Sequence, residues 1–208
     1  MNRYIVKKVE DTMESIEGQR FSPVYGDFAP IADYPWGGGY WPDARANVQW
    51  DEDGLWVTLC AKEETIAAHE VRFGGAVCRD SCLEFFVNPC PSAQKKYINV
   101  EINPRGTMHI GVGEDRYDRR VLEEMPADME LSVSGHHDGW WAVRYRLSNS
   151  LMTKLCGAAP EKVMRGNFYT CDETIHPHFG TWSPVVSPVP DFHRPECFGT
   201  LELQEDEG

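Results

Sequence analysis

Between Ala44 and Leu203 the chain repeats one pattern: short runs of alternating apolar and polar residues, each closed by a turn signal. This constrains the fold more than any other feature, because a period of two suits a strand with one buried face and does not suit a helix. Residues 44–50 and 55–61 flank Asp51-Glu52-Asp53-Gly54, which predicts a β-hairpin. Residues 81–88 and 96–103 read as two further strands, and Pro104-Arg105-Gly106 turns the chain into another at 107–112. Residues 129–134 and 140–147 flank His136-His137-Asp138-Gly139, a second hairpin. Strands at 4–9, 167–170 and 200–203 complete the set. Residues 148–155 predict a short helix capped by Ser148, and another short helix is expected within residues 1–20. The fold class that follows is all-β: an antiparallel β-sandwich with one or two short helices.

Residues 1–208 read as a single domain, and 41% hydrophobic with 25% charged residues is enough to build a core without disulfides or metal. Residues 1–43 read as an irregular segment packed on the body. Pro23, Pro30, Pro35, Pro42 and Gly37-Gly38-Gly39 break it, while Tyr25, Phe28, Tyr34, Trp36, Tyr40 and Trp41 anchor it. Residues 204–208 read as a frayed tail. A net charge of −13 and a pI of about 4.9 disfavour nucleic acid and anionic membranes as partners. The opening residues lack the apolar core of a signal peptide and no stretch reaches membrane-spanning length, so a cytoplasmic location is expected. The seven cysteines are odd in number and form no Cys-x-x-Cys motif, and they read as buried thiols in a reducing compartment. Oligomeric state is not legible.

The candidate binding residues come from two sources. The stretch from Asn167 to Thr200 holds a long loop bearing His176, His178, Phe179, Trp182, Phe192 and His193. Such loops persist where function or packing holds them, and these side chains suit a polar, disc-shaped ligand. Alternation within the strands supplies the second source. It sends Leu83, Phe85, Val87, Ile98, Val100, Ile102, Val143, Tyr145 and Leu147 to the core, and Glu84, Asn99, Glu101, Arg144 and Asn167 to the opposite face. If their strands are neighbours, these residues make a floor for hydroxyl groups, walled by aromatic rings, which matches a sugar's polar rim and apolar faces. The competing interpretation of that face is a solvated surface with incidental ion pairs.

Other chemistry is weaker. His176, His178 and His193 with Asp172, Glu173 or Asp191 could chelate zinc, but loop histidines bonded to backbone or ligand account for them, and no metal is assigned. Asp51 to Gly54 lacks the further ligands of a calcium loop. Glu84 and Glu101 could act as a glycosidase pair, but Arg144 beside them would lower their pKa, which favours ion pairing. No nucleophile elbow, phosphate loop or dinucleotide fingerprint is present.

Five fragments in order carry a resemblance: Trp50 to Val57 (WDEDGLWV), Asp80 to Pro89 (DSCLEFFVNP), Tyr97 to Gly106 (YINVEINPRG), Gly139 to Leu147 (GWWAVRYRL), and the NFY, WSP and FHRPECFGTL elements after Asn167. Together they resemble the family 9 carbohydrate-binding modules and the related family 9-like proteins of bacteria, over roughly residues 44–203. The resemblance implies a DOMON-like β-sandwich and non-catalytic sugar binding, with a pair of Trp rings sandwiching the sugar and calcium at structural sites. Trp182 is the first implied sandwich residue, and Trp36 or Trp41 the second. Better-known members are appended to secreted glycoside hydrolases, whereas this chain is expected to stand alone without a leader, and it is rich in Cys. The expected function is therefore carbohydrate binding without catalysis. The alternatives are a glycan-active hydrolase or lyase, and a protein-interaction or sensory domain.

Overall fold

Turn chemistry sets the strand ends. In the first hairpin Asp51 Oδ1 accepts the backbone N–H groups of Asp53 and Gly54, each at 2.9 Å. In the second, Asp138 (φ 53°) and Gly139 (φ 80°) both take positive φ, the requirement of a tight type I′ turn. The helix begins where Ser148 Oγ accepts the Leu151 N–H at 3.0 Å and ends at Gly157 in the left-handed conformation. This computed structural model describes residues 1–9 and 27–204. The helix expected within residues 1–20, Tyr25 and the tail beyond Gln204 lie outside them.

The strands are β1 (Arg3–Lys8), β2 (Ala29–Ile31), β3 (Asp33–Gly37), β4 (Asp43–Asp51), β5 (Gly54–Lys62), β6 (Cys82–Asn88), β7 (Tyr97–Ile102), β8 (Met108–Gly113), β9 (Arg119–Val121), β10 (Leu131–His137), β11 (Trp140–Ser148), β12 (Val163–Asp172), β13 (His178–Thr181) and β14 (Gly199–Leu203). Helix α1 (Asn149–Cys156) links β11 to β12. One layer runs β9-β8-β7-β6-β12-β14, and β13 followed by β3 continues from the second half of β12. The other runs β10-β11-β5-β4, with β2 on the outer edge of β4. The expected β-sandwich is thus present.

The layers are joined by β1, whose Arg3–Val6 half pairs with β14 and whose Lys7 and Lys8 pair with β4. Both of these pairings are parallel; among the described residues every other strand pairing is antiparallel. The described residues among 1–43 are therefore less irregular than their Pro and Gly content implies. β1, β2 and β3 all fall within them, and β2 and β3 are edge strands, where proline costs no ladder bond. Gln204 is not frayed: its N–H donates to the Val6 carbonyl at 2.8 Å. No helix among the described residues is long and apolar enough to cross a membrane.

The inward faces interdigitate as alternation requires. Leu83, Phe85, Val87, Ile98, Val100 and Ile102 from one layer meet Val57, Leu59, Val143, Tyr145 and Leu147 from the other. The outer face of the β12-β6-β7 region is not solvated. Every residue of β6 and β7 is buried, because the chain after β13 folds back across them. Phe192 stacks on Tyr169 with ring centroids 4.1 Å apart, Phe86 stacks on Tyr97 at 5.8 Å, and Phe198 closes edge-on over Tyr97 at 5.4 Å. A second apolar cluster thus lies outside the sandwich proper.

A buried carboxyl ties the strand ends together. Glu63, just past β5, accepts the Trp141 indole N–H at 2.9 Å and the Ser81 hydroxyl at 2.6 Å. Burial raises its pKa from 4.5 to about 7, against the lowering effect of those two donors. The folded state therefore binds this proton more tightly than the unfolded chain does. Glu63's contribution is fully present below about pH 4.5 and is lost as pH rises through about 7. Wild-type stability relative to Glu63→Gln should fall over that window by on the order of 3 kcal/mol, read from denaturant melts at several pH values. A difference independent of pH would show that Glu63 is not buried in this way.

Candidate functional site

The register of three adjacent strands builds a polar row on the covered outer face. Glu84 on β6 pairs directly with Glu101 on β7, and Glu101 pairs with His109 on β8. On the other side Glu84 pairs with Tyr169 of β12. Above the row opens a cleft of about 630 Å³. Its floor includes Glu84, Glu101, Cys171 and His109; its walls include Phe179 of β13, Phe192 and His193 on one side, and Arg119 and Arg116 on another.

Hydrogen bonds hold the floor in place. Arg119 Nη1 donates to Asn99 Oδ1 at 3.0 Å and lies 3.9 Å from Glu101 Oε1, while Asn99 Nδ2 donates to the same Glu101 oxygen at 2.9 Å. Asn99 is fully buried, so it supports Glu101 from beneath. Gly111 leaves the space this network occupies: a Cβ there would stand 2.5 Å from Asn99 Oδ1 and 3.1 Å from the Arg119 guanidinium. His109 Nδ1 lies 3.1 Å from the carbonyls of both Gly74 and Gly75, and its Nε2 is buried without a partner. His193 Nδ1 meets the Tyr97 hydroxyl at 2.8 Å, and burial together with Arg119 and Arg116 drives its pKa down to about 3. That ring is neutral and can accept as well as donate.

Burial dominates the carboxyls. It pushes Glu84 well above the usual range, and Glu101 alongside pushes it further. Burial raises Glu101 too, but His109 and Arg119 oppose the shift. Arg144, expected to lower both, is not part of this floor. It sits on β11 in the other layer, with its guanidinium 4.7 Å from the centroid of Trp56. Alternation gave its face correctly but could not say which sheet that face belonged to.

The remaining expected residues disperse. Asn167 is buried, with its amide spent on the backbone of Ser183: Nδ2 donates to the carbonyl and Oδ1 accepts the N–H, both at 2.8 Å. It clamps the loop rather than lining the cleft. Trp182 is 7% exposed and packs between the layers against Phe168 and Tyr4, with only its edge reaching a separate surface depression beside Asn2 and Pro184. Trp41 is 67% exposed and borders another depression, with Tyr34 and Pro42. Trp36 stands behind the wall, its ring 6.5 Å from Phe179 and 6.1 Å from Phe192. His178 is buried, donates from Nδ1 to the His176 carbonyl at 2.7 Å, and has its pKa lowered by burial; both histidines pack on Tyr40. They are held by backbone and rings, and they do not gather with His193 around one point.

Of the residues that form the cleft, alternation named Glu84 and Glu101. It missed Arg119 and His109. The second had a signal: Met108 and Ile110 enter the core, so His109 must face outward with Glu101. Asp80 spends its oxygens on the N–H groups of His69 and Glu70 and the amide of Asn103, and Arg146 already sits 2.9 Å from Asp51 and 3.2 Å from Asp53. One mixed group converges instead. Sγ of Cys82, Sγ of Cys171 and a Glu84 oxygen lie within 4.8 Å of one another, all buried.

Residues 26–134 and 150–203 match the profile of Carbohydrate-binding family 9. No curated protein is similar enough in sequence to count as a match. A candidate carbohydrate-binding protein of Bacteroides uniformis superposes with a TM-score of 0.78 at 24% identity, over 97% of this chain and 99% of that one. A family 9 module of Caldicellulosiruptor kristjanssonii in complex with cellotriose gives 0.64 at 11% identity, over 99% and 96%. The same organism's family 9 module with glucose gives 0.65 at 11%, over 100% and 98%. These likenesses extend the fold over the whole chain, and the profile match covers most of it: the protein belongs to carbohydrate-binding family 9.

Proposed function

We propose that the protein binds a mono- or oligosaccharide in the cleft over β6, β7 and β8 and performs no chemistry on it. The observation that carries this reading is the row Glu84–Glu101–His109 with Arg119 at its side, beneath an aromatic wall. A sugar presents hydroxyls that both donate and accept. Arg119 only donates, Glu84 can do either when it carries its proton, and the neutral His193 ring adds an acceptor. Phe179 is the half-buried ring of the wall and offers an apolar face to a sugar's C–H groups, with Trp36 and Phe192 bracing it. In this reading Phe179 takes the stacking role that the sequence suggested for Trp182, and Trp36 acts through it. Family membership supports the ligand class, as do the family 9 modules solved with cellotriose and with glucose.

A second reading has an observation of its own. Glu84 and Glu101 face each other across neighbouring strands, and burial raises the pKa of the first well above the usual range, the direction a general acid requires. Turnover of a glycan by the wild type, lost in Glu101→Gln, would establish that reading in place of simple binding.

Calorimetric titration against a panel including glucose and cellotriose, with and without calcium, tests the proposal. Saturable binding without product formation is expected, and Phe179→Ala should weaken it by about tenfold, or about 1.4 kcal/mol. Silence across the panel, or unchanged affinity in Phe179→Ala, would show that the cleft is not a sugar site. Trp182→Ala should act differently. Emptying that core position should cost about 3–5 kcal/mol of stability, seen in denaturant unfolding. Sugar affinity measured on the fraction that remains folded should hold.

A further inference from the structure

We infer that Cys82, Cys171 and Glu84 form a zinc site at the base of the cleft, with two thiolates and one carboxylate as ligands. The inference goes beyond sugar binding and does not depend on it.

The strand register makes the site. Cys82 and Cys171 are cross-strand partners in the β6–β12 ladder, and Glu84 lies two residues from Cys82 on the same face. Cys171 Sγ is 3.2 Å from Glu84 Oε1 and lies 3.6 Å from the Cys78 carbonyl oxygen. A tetrahedral zinc with Zn–S bonds of about 2.3 Å sets its ligand atoms about 3.8 Å apart. The three donor atoms here all lie within 4.8 Å of one another, so small side-chain rotations suffice to close on an ion. Two thiolates with one carboxylate suit zinc, whereas calcium and magnesium take oxygen donors. Entry is open, because Glu84, Cys171 and Cys78 all line the cleft. Cys78 is half-buried and lines the same cleft, so its thiol is a further donor on hand for a fourth position.

Proton balance is simple. One Zn²⁺ displaces the two thiol protons and the Glu84 proton, which leave through the cleft, and no oxidant or reductant takes part. The ion would also answer an otherwise costly arrangement, since these acidic groups are packed in a volume that cannot hold them ionised without a cation.

The test uses the full chain, reduced and stripped with a chelator. Addition of Zn²⁺ should give uptake of one ion per chain. Cd²⁺ in its place should give an ultraviolet thiolate-to-metal charge-transfer band. Cys82→Ser and Cys171→Ser should abolish the band, and Glu84→Gln should weaken binding by about tenfold or more. Cys60→Ser, in the other layer, should leave it intact. As a readout that needs no variant, Zn²⁺ should protect Cys82 and Cys171 of the wild type from alkylation, mapped by mass spectrometry. Absence of uptake and protection would overturn the site, as would a band that survives loss of either thiol. A Cys82–Cys171 disulfide forming on mild oxidation, with no metal bound by the reduced protein, would assign the pair to redox chemistry and equally overturn it.

Discussion

The stack of Phe192 on Tyr169, 4.1 Å apart, is the contact on which the rest of the outer face depends. It brings the loop before β14 down across β12, β6 and β7, and so converts the exposed side of a sandwich into a second interior. Without that cover, Glu84 and Glu101 would be ordinary solvated carboxylates on an antiparallel sheet. With it they are almost fully shielded from water, their acidity falls, and the groove left between the loop, β8 and the β8–β9 connection becomes a cleft with a polar base. Tyr97 and His193 add a polar tie to the same cover through their 2.8 Å contact. The cover is therefore held by both ring stacking and a hydrogen bond, and the cleft's shape rests on the loop that forms its wall.

Much of the sandwich was legible because period-two alternation reports local burial directly. Leu83, Phe85 and Val87 pointed to the core, as did Ile98, Val100 and Ile102, and they are there. Asp51, Gly54, Asp138 and Gly139 marked their turns for stereochemical reasons that act within a few residues. What was not legible depends on which strands become neighbours. Glu84 and Glu101 were grouped correctly since a short connection makes consecutive strands pair. Arg144 was grouped with them wrongly because β11 pairs with β5 across the sandwich, a choice made by long-range packing. Arg119 escaped notice since β9 is three residues long and shows no period. Trp182 looked like a binding residue because aromatic residues in loops often are, but this loop begins by plunging between the layers. The thiol group was invisible for the same reason that Arg144 was misplaced: its members come from β6 and β12, 89 positions apart in the chain (171 − 82) and joined only by register.

The strand that closes the molecule illustrates how local and distant rules combine. β1 is short and half exposed, yet it pairs with β14 through its first half and with β4 through its second. A single strand can serve both layers only by passing from one to the other, and the parallel pairing follows from the chain direction of β14 and β4 at that edge. Tyr4 reinforces the junction, edge-on to Phe168 at 5.9 Å and to Trp182 at 6.3 Å. The Trp that the loop sends inward is thus part of what holds the layers together at β1.

The electrostatics of the cleft follow from its burial and not from the protein's net charge. A surface at −13 would repel anions and attract cations broadly, but burial raises the pKa of Glu84 and Glu101 at the cleft floor, the His193 ring on its wall is neutral, and Arg119 and Arg116 stand nearby as positive charges. Such a floor has little long-range pull on a neutral sugar and much short-range capacity for hydrogen bonds, which is the balance a ligand rich in hydroxyls requires. Release of protons from Glu84 and the two thiols is unfavourable there for the same reason that any isolated buried charge is, so those groups ionise only when a cation enters with them. The feature that makes the cleft a neutral hydrogen-bonding surface is the one that would make it selective for a metal able to replace protons on sulfur.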